Sequence, residues 1–554
     1  MNRDTNPNSK YEKAKNERKE YVENILRSES SKKVVVAGPG TGKTLLFKEV
    51  LEKKDNTLVL TFINALVEDL SLELCGLSDV KTLHGFACSK LREAKESIEI
   101  FPKLTEVIKK DAEILIEKEI DFKKIFDSKE DDSEYIDFYR ERKDYYGKYY
   151  GFSDIVYAIV KYFEEDHNRI PQYDQIVVDE FQDFNPLEVS LIELLSRNSP
   201  ILLVGDDDQA IYDFKNADPK YIRQKHSQEE TDYEPFDLPF CSRCTRVIVE
   251  AVNDIINSAS KTEFLSDRIP KPYKYFDDEE KDIVSEKYSK IIYSQQFARK
   301  IPWFLEKQIS EIAQNLKRIF PVLVICPTKT QCNQLAEALI KKGFNNIKYK
   351  EKQDENIILL DGLKLLFKND KCNLAWRIVS EFLLKDKEFK SLLKKIHQDR
   401  SAKLHELIDK NCKDEVKKMI KVLKTCQKRA DINEGNLDIL KRIGINPYKI
   451  MKDVLKDEMD FDFSRMVKSE IRKIPIKITT IQGSKGLSED YVFITYFDDR
   501  YFIKSKNKKE ISDKEIRNFL VALTRAKEKV FLISSQEREP TFLKWINEER
   551  IETI

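Results

Sequence analysis

The chain has 554 residues, of which 41% are hydrophobic and 35% charged. At about 100–200 residues per domain, that length predicts several domains rather than one core. Lys plus Arg and Asp plus Glu each number 98, so no global field draws the protein to a polyanion, and nucleic-acid binding would need local basic patches.

The N-terminal stretch MNRDTNPNSKYEKAKNERKEY has no apolar segment of the secretory type. The most apolar runs, VVVAG and PILLVG, are too short to span a bilayer. Both readings predict a cytoplasmic protein with no membrane contact. The nine cysteines form no disulfide framework. Cys241 and Cys244 make a CxxC pair with no second pair at zinc-ligand spacing, so reduced thiols are expected.

In chain order, short apolar runs predict strands at Val34–Ala37, Thr57–Thr61, Gln175–Val178 and Pro200–Gly205, separated by helical patterns. Buried strands alternating with helices predict a parallel α/β sheet. From Cys88 to Ile170 the text is rich in Lys, Glu and Tyr at helical spacing, a predicted helical insertion. The plan then repeats. Lys290–Tyr293, Val322–Cys326, Lys477–Thr480, Val492–Thr495 and Val530–Ser534 read as strands, and a Lys-rich helical stretch fills Glu381–Ile474. The predicted domains are 1–87 with 171–257, the insertion 88–170, 258–380 with 475–554, and the insertion 381–474.

Val34–Thr44 reads VVVAGPGTGKT, a strand entering a Gly-rich loop and then a helix. Gly38, Gly40 and Gly42 let backbone N–H groups approach phosphate oxygens. Lys43 can reach the β- and γ-phosphates and Thr44 can bind Mg²⁺. The predicted nucleotide-binding run is Ala37, Gly38, Pro39, Gly40, Thr41, Gly42, Lys43 and Thr44, with Ala37 where the pattern usually has Gly. Ile176–Asp183 reads IVVDEFQD. Asp179 would hold Mg²⁺, and Glu180 would orient and deprotonate the attacking water.

The Asp-Glu-Phe-Gln-Asp run after such a strand resembles motif II of the UvrD/Rep-like superfamily 1 helicases. Val204–Ala217, which contains GDDDQ, resembles their motif III, with Gln209 at the glutamine set against the γ-phosphate. Thr61–Asn64 and Thr82–Phe86 are similar to motifs Ia and Ib. Leu238–Thr245 aligns with motif IV, Thr479–Leu487 with motif V and Val521–Lys527 with motif VI, which puts Arg243 and Arg525 at the family's two arginines. The resemblance implies two RecA-like parallel-sheet motor domains, each interrupted by a mainly helical insertion, with ATP and Mg²⁺ between them. It further implies an ATP-dependent translocase or helicase on single-stranded DNA or a tailed duplex, moving 3′-to-5′, in DNA repair or anti-phage defence. Lys43, Glu180, Gln209, Arg243 and Arg525 are the implied catalytic residues. A guanidinium at a developing γ-phosphate charge can raise the rate by a factor of about 10³–10⁵.

The candidate nucleic-acid contacts are Phe62, Tyr212 and Phe214 for stacking and Asn64, Thr82 and His84 for polar contacts. Phe62 and Phe214 also fit a core, and His84 a structural role. Tyr145, Tyr146, Tyr149 and Tyr150, mixed with Arg140, Arg142, Lys143 and Lys148, fit either a strand channel or an amphipathic helix.

The base and ribose contacts depart from the resembled pattern. No Gln precedes Ala37 to read adenine, Leu45 stands where an arginine often packs on the base, and Ser242 replaces the aromatic before the motif IV arginine. Ser488 replaces the glutamate that holds the ribose, leaving Glu489 and Gly486 as the candidates there, and Gln482 stands where a histidine is common. The first four changes predict relaxed base selectivity, although Phe240 or the backbone could still read adenine. The second insertion is short for the family, which bears on strand separation more than on translocation. Little chain follows motif VI, so nuclease activity is expected only of a partner. The alternative reading is a nucleic-acid-stimulated NTPase switch that regulates such a nuclease and unwinds little.

Overall fold

The computed structural model describes residues 7–62, 64–95, 97–131, 133–212, 216–227, 232–316, 320–349, 357–427, 472–503 and 511–554. Its contacts form two units: Met1–Phe86 with Phe163–Glu351 and Val467–Ile554, and Ala87–Tyr162 with Lys352–Met466.

The first unit holds two large parallel sheets, besides a two-stranded one formed by Phe240–Cys241 and Lys274–Tyr275. The strands of the first are β1 (Lys32–Ala37), β2 (Thr57–Thr61), β3 (Asp79–Thr82), β4 (Gln175–Val178), β5 (Ile201–Gly205) and β6 (Glu234–Leu238). Their order is β3-β2-β4-β5-β1-β6, every pairing parallel. Val34 pairs with Leu203 on one side and Pro235 on the other. β1, β4 and β5 are thus close neighbours, and the loops that leave their C-terminal ends emerge on one edge, where open α/β sheets bind ligands. Those loops are the Gly-rich turn, DEFQD and GDDDQ. After DEFQD the chain turns straight into the helix Pro186–Leu195, because Asn185 and Glu188 close a capping box with Pro186 in the first turn.

The second sheet comprises β7 (Ile291–Gln295), β8 (Val322–Cys326), β9 (Ile347–Tyr349), β10 (Ile476–Thr480), β11 (Glu489–Thr495), β12 (Ala526–Ser534) and β13 (Ile551–Thr553). Its order is β9-β10-β8-β11-β12-β7-β13, again parallel throughout. The fold class expected from the sequence is therefore the one observed.

The second unit is helical. Asp111, in the helix Leu104–Leu115, accepts hydrogen bonds from Arg142 Nε at 3.1 Å and Nη2 at 3.0 Å, and from Arg377 Nε at 2.8 Å. Tyr146 also donates to it, and Arg377 pairs with Glu381. Arg377 and Asp111 are both fully buried. Burial alone would raise the Asp111 pKa, but Arg377 and Arg142 hold it below its ordinary value. The network joins chain segments 266 residues apart. It ties the helix Asn373–Leu383 into this unit, which also holds Ile357–Lys368, whereas the sequence pattern predicts residues 357–380 with the second sheet. The tyrosine-rich stretch belongs to the same core: Tyr146, Tyr149 and Tyr150 are buried, Tyr145 donates to the Ala402 carbonyl at 2.9 Å, and Lys143 lies over the Tyr150 ring. That geometry favours packing over a strand channel.

Candidate active site

The Gly-rich loop leaves β1 at Ala37, which is fully buried. Gly40 and Gly42 take φ of +73° and +95°, a region other residues enter only with strain. A Cβ at Gly40 would also clash with the Arg243 side chain, and one at Gly38 with the Tyr273 ring. Thr41 Oγ1 donates to the Gly38 carbonyl at 3.0 Å, and Tyr273 donates to the Pro39 carbonyl at 2.9 Å. Ser242 donates to the Gly40 carbonyl through its backbone N–H at 2.9 Å and its hydroxyl at 3.2 Å. The loop is thus fixed from outside by motif IV and by Tyr273, and Gly42 leads into the helix Lys43–Leu51.

Lys43 Nζ donates to Glu180 Oε1 at 2.8 Å and lies 3.8 Å from Asp179 Oδ1. Burial alone would lower the Lys43 pKa, but Glu180 and Asp179 raise it well above its ordinary value. Burial works against ionised Glu180 too, yet Lys43 and Lys485 hold its pKa far below the carboxylate range. Asp179 goes the other way: burial lifts it to about 6, against the pull of Lys43. Two adjacent carboxylates therefore differ in proton affinity, which suits two roles. Glu180 has φ +55°, ψ +39°, a left-handed conformation that costs a non-glycine residue of the order of 1 kcal/mol or more. That backbone turn brings its carboxylate to Lys43, and Gln182 Nε2 donates to its other oxygen at 2.6 Å.

The second sheet adds Arg525, just before β12. Arg525 Nη2 donates to Gln209 Oε1 at 3.1 Å, and Gln209 Nε2 donates to Asp206 at 2.9 Å. Arg243 Nη2 donates to the Thr524 carbonyl at 3.2 Å, which places it beside Arg525. Burial and then the Arg243 charge bring Arg525 down to about 10. Two desolvated guanidinium groups side by side make a strong demand for an anion. Gly486 has φ +82° in the turn before Leu487, whose carbonyl accepts from Arg525 Nη1 at 3.4 Å. The Glu489 N–H donates to the Arg525 carbonyl at 3.0 Å. No hydrogen bond joins Gly486 or Glu489 to the loop residues 37–44 among the described residues.

Thr44 is half-buried at the head of the helix. Its hydroxyl and the Asp179 carboxylate are the hard oxygen donors that Mg²⁺ prefers. The acidic cluster Asp206, Asp207 and Asp208 is not a second metal site, because Lys271 Nζ sits among all three while Arg268 and Arg223 pair with Asp208 and Asp207. The CxxC pair is equally structural. Cys241 and Cys244 are free and buried, and Cys241 Sγ accepts from the Cys244 N–H at 3.4 Å, closing the turn that carries Arg243.

Sequence reasoning missed Lys485. Its Nζ donates to Asp183 and to the Gln209 carbonyl, both at 2.5 Å, and lies 3.6 Å from Glu180. A lysine inside motif V was visible, but nothing local tied it to an acid 302 residues away.

The nucleic-acid candidates fall into two groups. Phe62 packs on Tyr212 at 5.4 Å and on Phe184 at 6.0 Å. Tyr212 is 9% exposed and its hydroxyl donates to the Gln482 carbonyl at 2.9 Å, so its ring links the two sheets. Thr82 Oγ1 accepts from the Gly85 N–H at 3.0 Å, and His84 is half-buried in the same helix. Asn64 heads the helix Asn64–Glu73. Phe214 lies outside the described residues.

Fold and site together have the layout of a P-loop protein built on two parallel sheets. The family model of the UvrD/REP helicase N-terminal domain matches residues 126–230, and that of the UvrD-like helicase C-terminal domain matches residues 449–537. Over these two segments the chain is similar to the UvrD-like helicases of superfamily 1. It is 34% identical over 110 residues to the exonuclease/helicase subunit RexA of Lactococcus lactis, covering 19% of this chain and 9% of that protein. A Streptococcus agalactiae protein named as an ATP-dependent helicase/nuclease subunit is 37% identical over 79 residues, covering 14% of this chain and 6% of that protein. YjcD of Bacillus subtilis, named as a putative ATP-dependent DNA helicase, is 30% identical over 166 residues, covering 27% and 21%. These alignments thus span between 6% and 21% of the relatives' own lengths. Among the described residues, no helix is long and apolar enough to cross a membrane.

Proposed function

We propose that the chain is an ATP-dependent translocase and helicase on single-stranded DNA, stepping 3′-to-5′, cytoplasmic, and acting in repair or antiviral defence. The observation that carries this reading is the Arg525–Gln209 hydrogen bond, which sets a motif VI arginine of the second sheet against a glutamine of the first. In this reading the loop from Ala37 to Thr44 holds the triphosphate, and Lys43 leaves Glu180 for the β- and γ-phosphates. Mg²⁺ held by Thr44 and Asp179 would neutralise phosphate charge. Glu180, ionised at neutral pH, orients the attacking water and takes its proton. Arg243 and Arg525 offset the charge that develops on the γ-phosphate, and Gln209 reports its loss to the second sheet. Gly486 and Glu489 would face the ribose. Breaking the phosphate bridge lets the sheets separate, and alternating grip advances the strand. Phe62, Asn64, Thr82, His84, Tyr212 and Phe214 are the candidate strand contacts; the burial of Tyr212 supports a coupling role for its ring.

A second reading has a specific support. Two of the matched relatives are named as subunits of helicase/nuclease or exonuclease/helicase proteins. The chain would then be a DNA-stimulated NTPase switch for a partner nuclease. The test is NTP hydrolysis with and without single-stranded DNA in wild type and Glu180→Gln. Strong stimulation in the first and loss by about 10²-fold or more in the second are expected. Strand displacement on a 3′-tailed duplex separates the readings: displacement supports the motor, and stimulated hydrolysis without displacement supports the switch. Hydrolysis unaffected by Glu180→Gln would refute both.

A further inference from the structure

Beyond the end of β7 the chain reads QQFARKIPW over residues 295–303. A short turn of 3₁₀ helix, Ala298–Lys300, runs directly into the helix Ile301–Leu316. Ile301, Phe304, Leu305 and Ile309 are buried, so this helix packs one face inward and leaves the other to solvent. On the solvent face Lys300, Trp303 and Lys307 follow at i, i+3 and i+7, and Phe297 heads the row three residues earlier. Lys307 Nζ lies over the Trp303 ring, 5.9 Å from its centroid. Rings and cations thus alternate along the row, and the two rings are set about 10 Å apart along the axis.

Phe297 is 69% exposed, the most exposed phenylalanine among the described residues, and Trp303, at 52%, is the most exposed tryptophan. Neither Arg299 nor Lys300 forms an ion pair among the described residues, and Lys307 reaches Glu311 only at 3.7 Å. Glu306, the other acid of this helix, is taken by Lys342 and Arg472. A single exposed apolar side chain needs no explanation. Two exposed rings set among unpaired cations along one row form a surface that a ligand with flat faces and negative charge would cover. β7 and β10 run parallel in one sheet, separated by β8, β11 and β12, so their C-terminal ends share an edge. The loop after β10 is motif V, whose Gln482 carbonyl holds the Tyr212 hydroxyl. Four strand spacings put the row about 19 Å along that edge from motif V.

We propose that Phe297, Arg299, Lys300 and Trp303 form an outlying contact for single-stranded DNA at the C-terminal edge of the second sheet. This rests on the reading that the protein tracks a DNA strand. The rings would take base faces, which every base offers, so the contact tolerates any sequence, and the cations would take backbone phosphates. Bases joined by phosphates answer the rings and the charges at once, whereas an acidic peptide answers only the charges. The row would hold the strand beyond the motif Ia, III and V candidates, and its grip would lie outside the nucleotide site.

The test measures binding of fluorescein-labelled oligo(dT) against salt, tryptophan emission on adding unlabelled oligo(dT), and NTP hydrolysis without DNA. Phe297→Ala with Trp303→Ala should weaken binding by about tenfold or more. Arg299→Gln with Lys300→Gln should make the slope of log K against log salt shallower by about 1.4, the value for two phosphates of a single strand. Oligo(dT) should quench the emission of wild type but not of Trp303→Phe, which keeps a stacking ring and most of the affinity. Hydrolysis without DNA should match wild type in every variant, because none of these side chains touches the loop or its hydrolytic groups. Wild-type affinity and salt slope in both double variants would overturn the proposal and leave the row to a protein partner. Quenching that persists in Trp303→Phe would overturn it too, as would basal hydrolysis that falls in step with binding, which would make the row a support of the fold. A wild type that binds no oligo(dT) at all would overturn the DNA reading and this inference together.

Discussion

Arg525 donates to Gln209 across the two sheets at 3.1 Å while Arg243 stands beside it on the Thr524 carbonyl. The Arg525–Gln209 bond is a mechanical joint as well as an electrostatic contact, since it ties a side chain of one sheet to a side chain of the other. Arg525→Ala should lower kcat by about 10³-fold with little change in KM. Gln209→Ala should cost less hydrolysis but uncouple it from DNA. A double-mutant cycle on DNA-stimulated kcat should be strongly non-additive. Additive losses would mean that the two side chains act separately.

Lys485 should set the acid limb of the pH–rate profile. It is one of two cations that hold Glu180 ionised, the other being Lys43. Removing it raises the Glu180 pKa, so the base is lost at a higher pH. In Lys485→Met the acid limb of kcat should therefore move upward, with a lower plateau from the freed Asp183. Superimposable normalised profiles for wild type and variant would show that Lys485 is structural only.

The legible part of this fold is the part buried on both faces. β2, β5 and β8 are buried at every residue and read as apolar runs. β3, β6, β9 and β13 went unseen because their residues are partly exposed and include charges and, in β6, a proline. The site divides similarly. Lys43 and the Asp179–Glu180 pair were readable because a strand and its following loop carry their chemistry locally. Lys485 acquires meaning only when distant segments meet. Tyr212 shows the same limit from the other side: its ring type suits base stacking, but only the fold reveals its burial and its bond to Gln482.

Asp154 supplies a pH prediction away from the site. Burial lifts its pKa to about 7, against Lys143. A carboxyl whose folded pKa exceeds its unfolded value binds more protons when folded. Its stabilising contribution is complete below the unfolded value and is lost as pH rises through about 7. Wild type should therefore lose about 2–3 kcal/mol relative to Asp154→Asn between roughly pH 5 and 8. Denaturant midpoints at the two pH values read this directly, and a constant gap between the proteins would refute it.

The last prediction concerns the buried network of the helical unit. Asp111 balances Arg142 and Arg377, both almost wholly buried. Removing Asp111 leaves Arg142 without its carboxylate partner and Arg377 with Glu381 alone, whereas removing Arg377 leaves Asp111 still paired with Arg142. Asp111→Asn should therefore cost more than Arg377→Met, with the larger loss about 3–5 kcal/mol. Because Arg377 and Asp111 lie 266 residues apart in the chain, Asp111→Asn should also loosen both insertions together. Amide exchange should speed up in Leu104–Leu115 and Asn373–Leu383 alike, while the sheets of the other unit keep their protection. Faster exchange confined to one insertion would mean that the two fold independently and that the ion pair is incidental to their union. Loss of protection in the β1–β5 core would mean instead that Asp111 supports the whole chain.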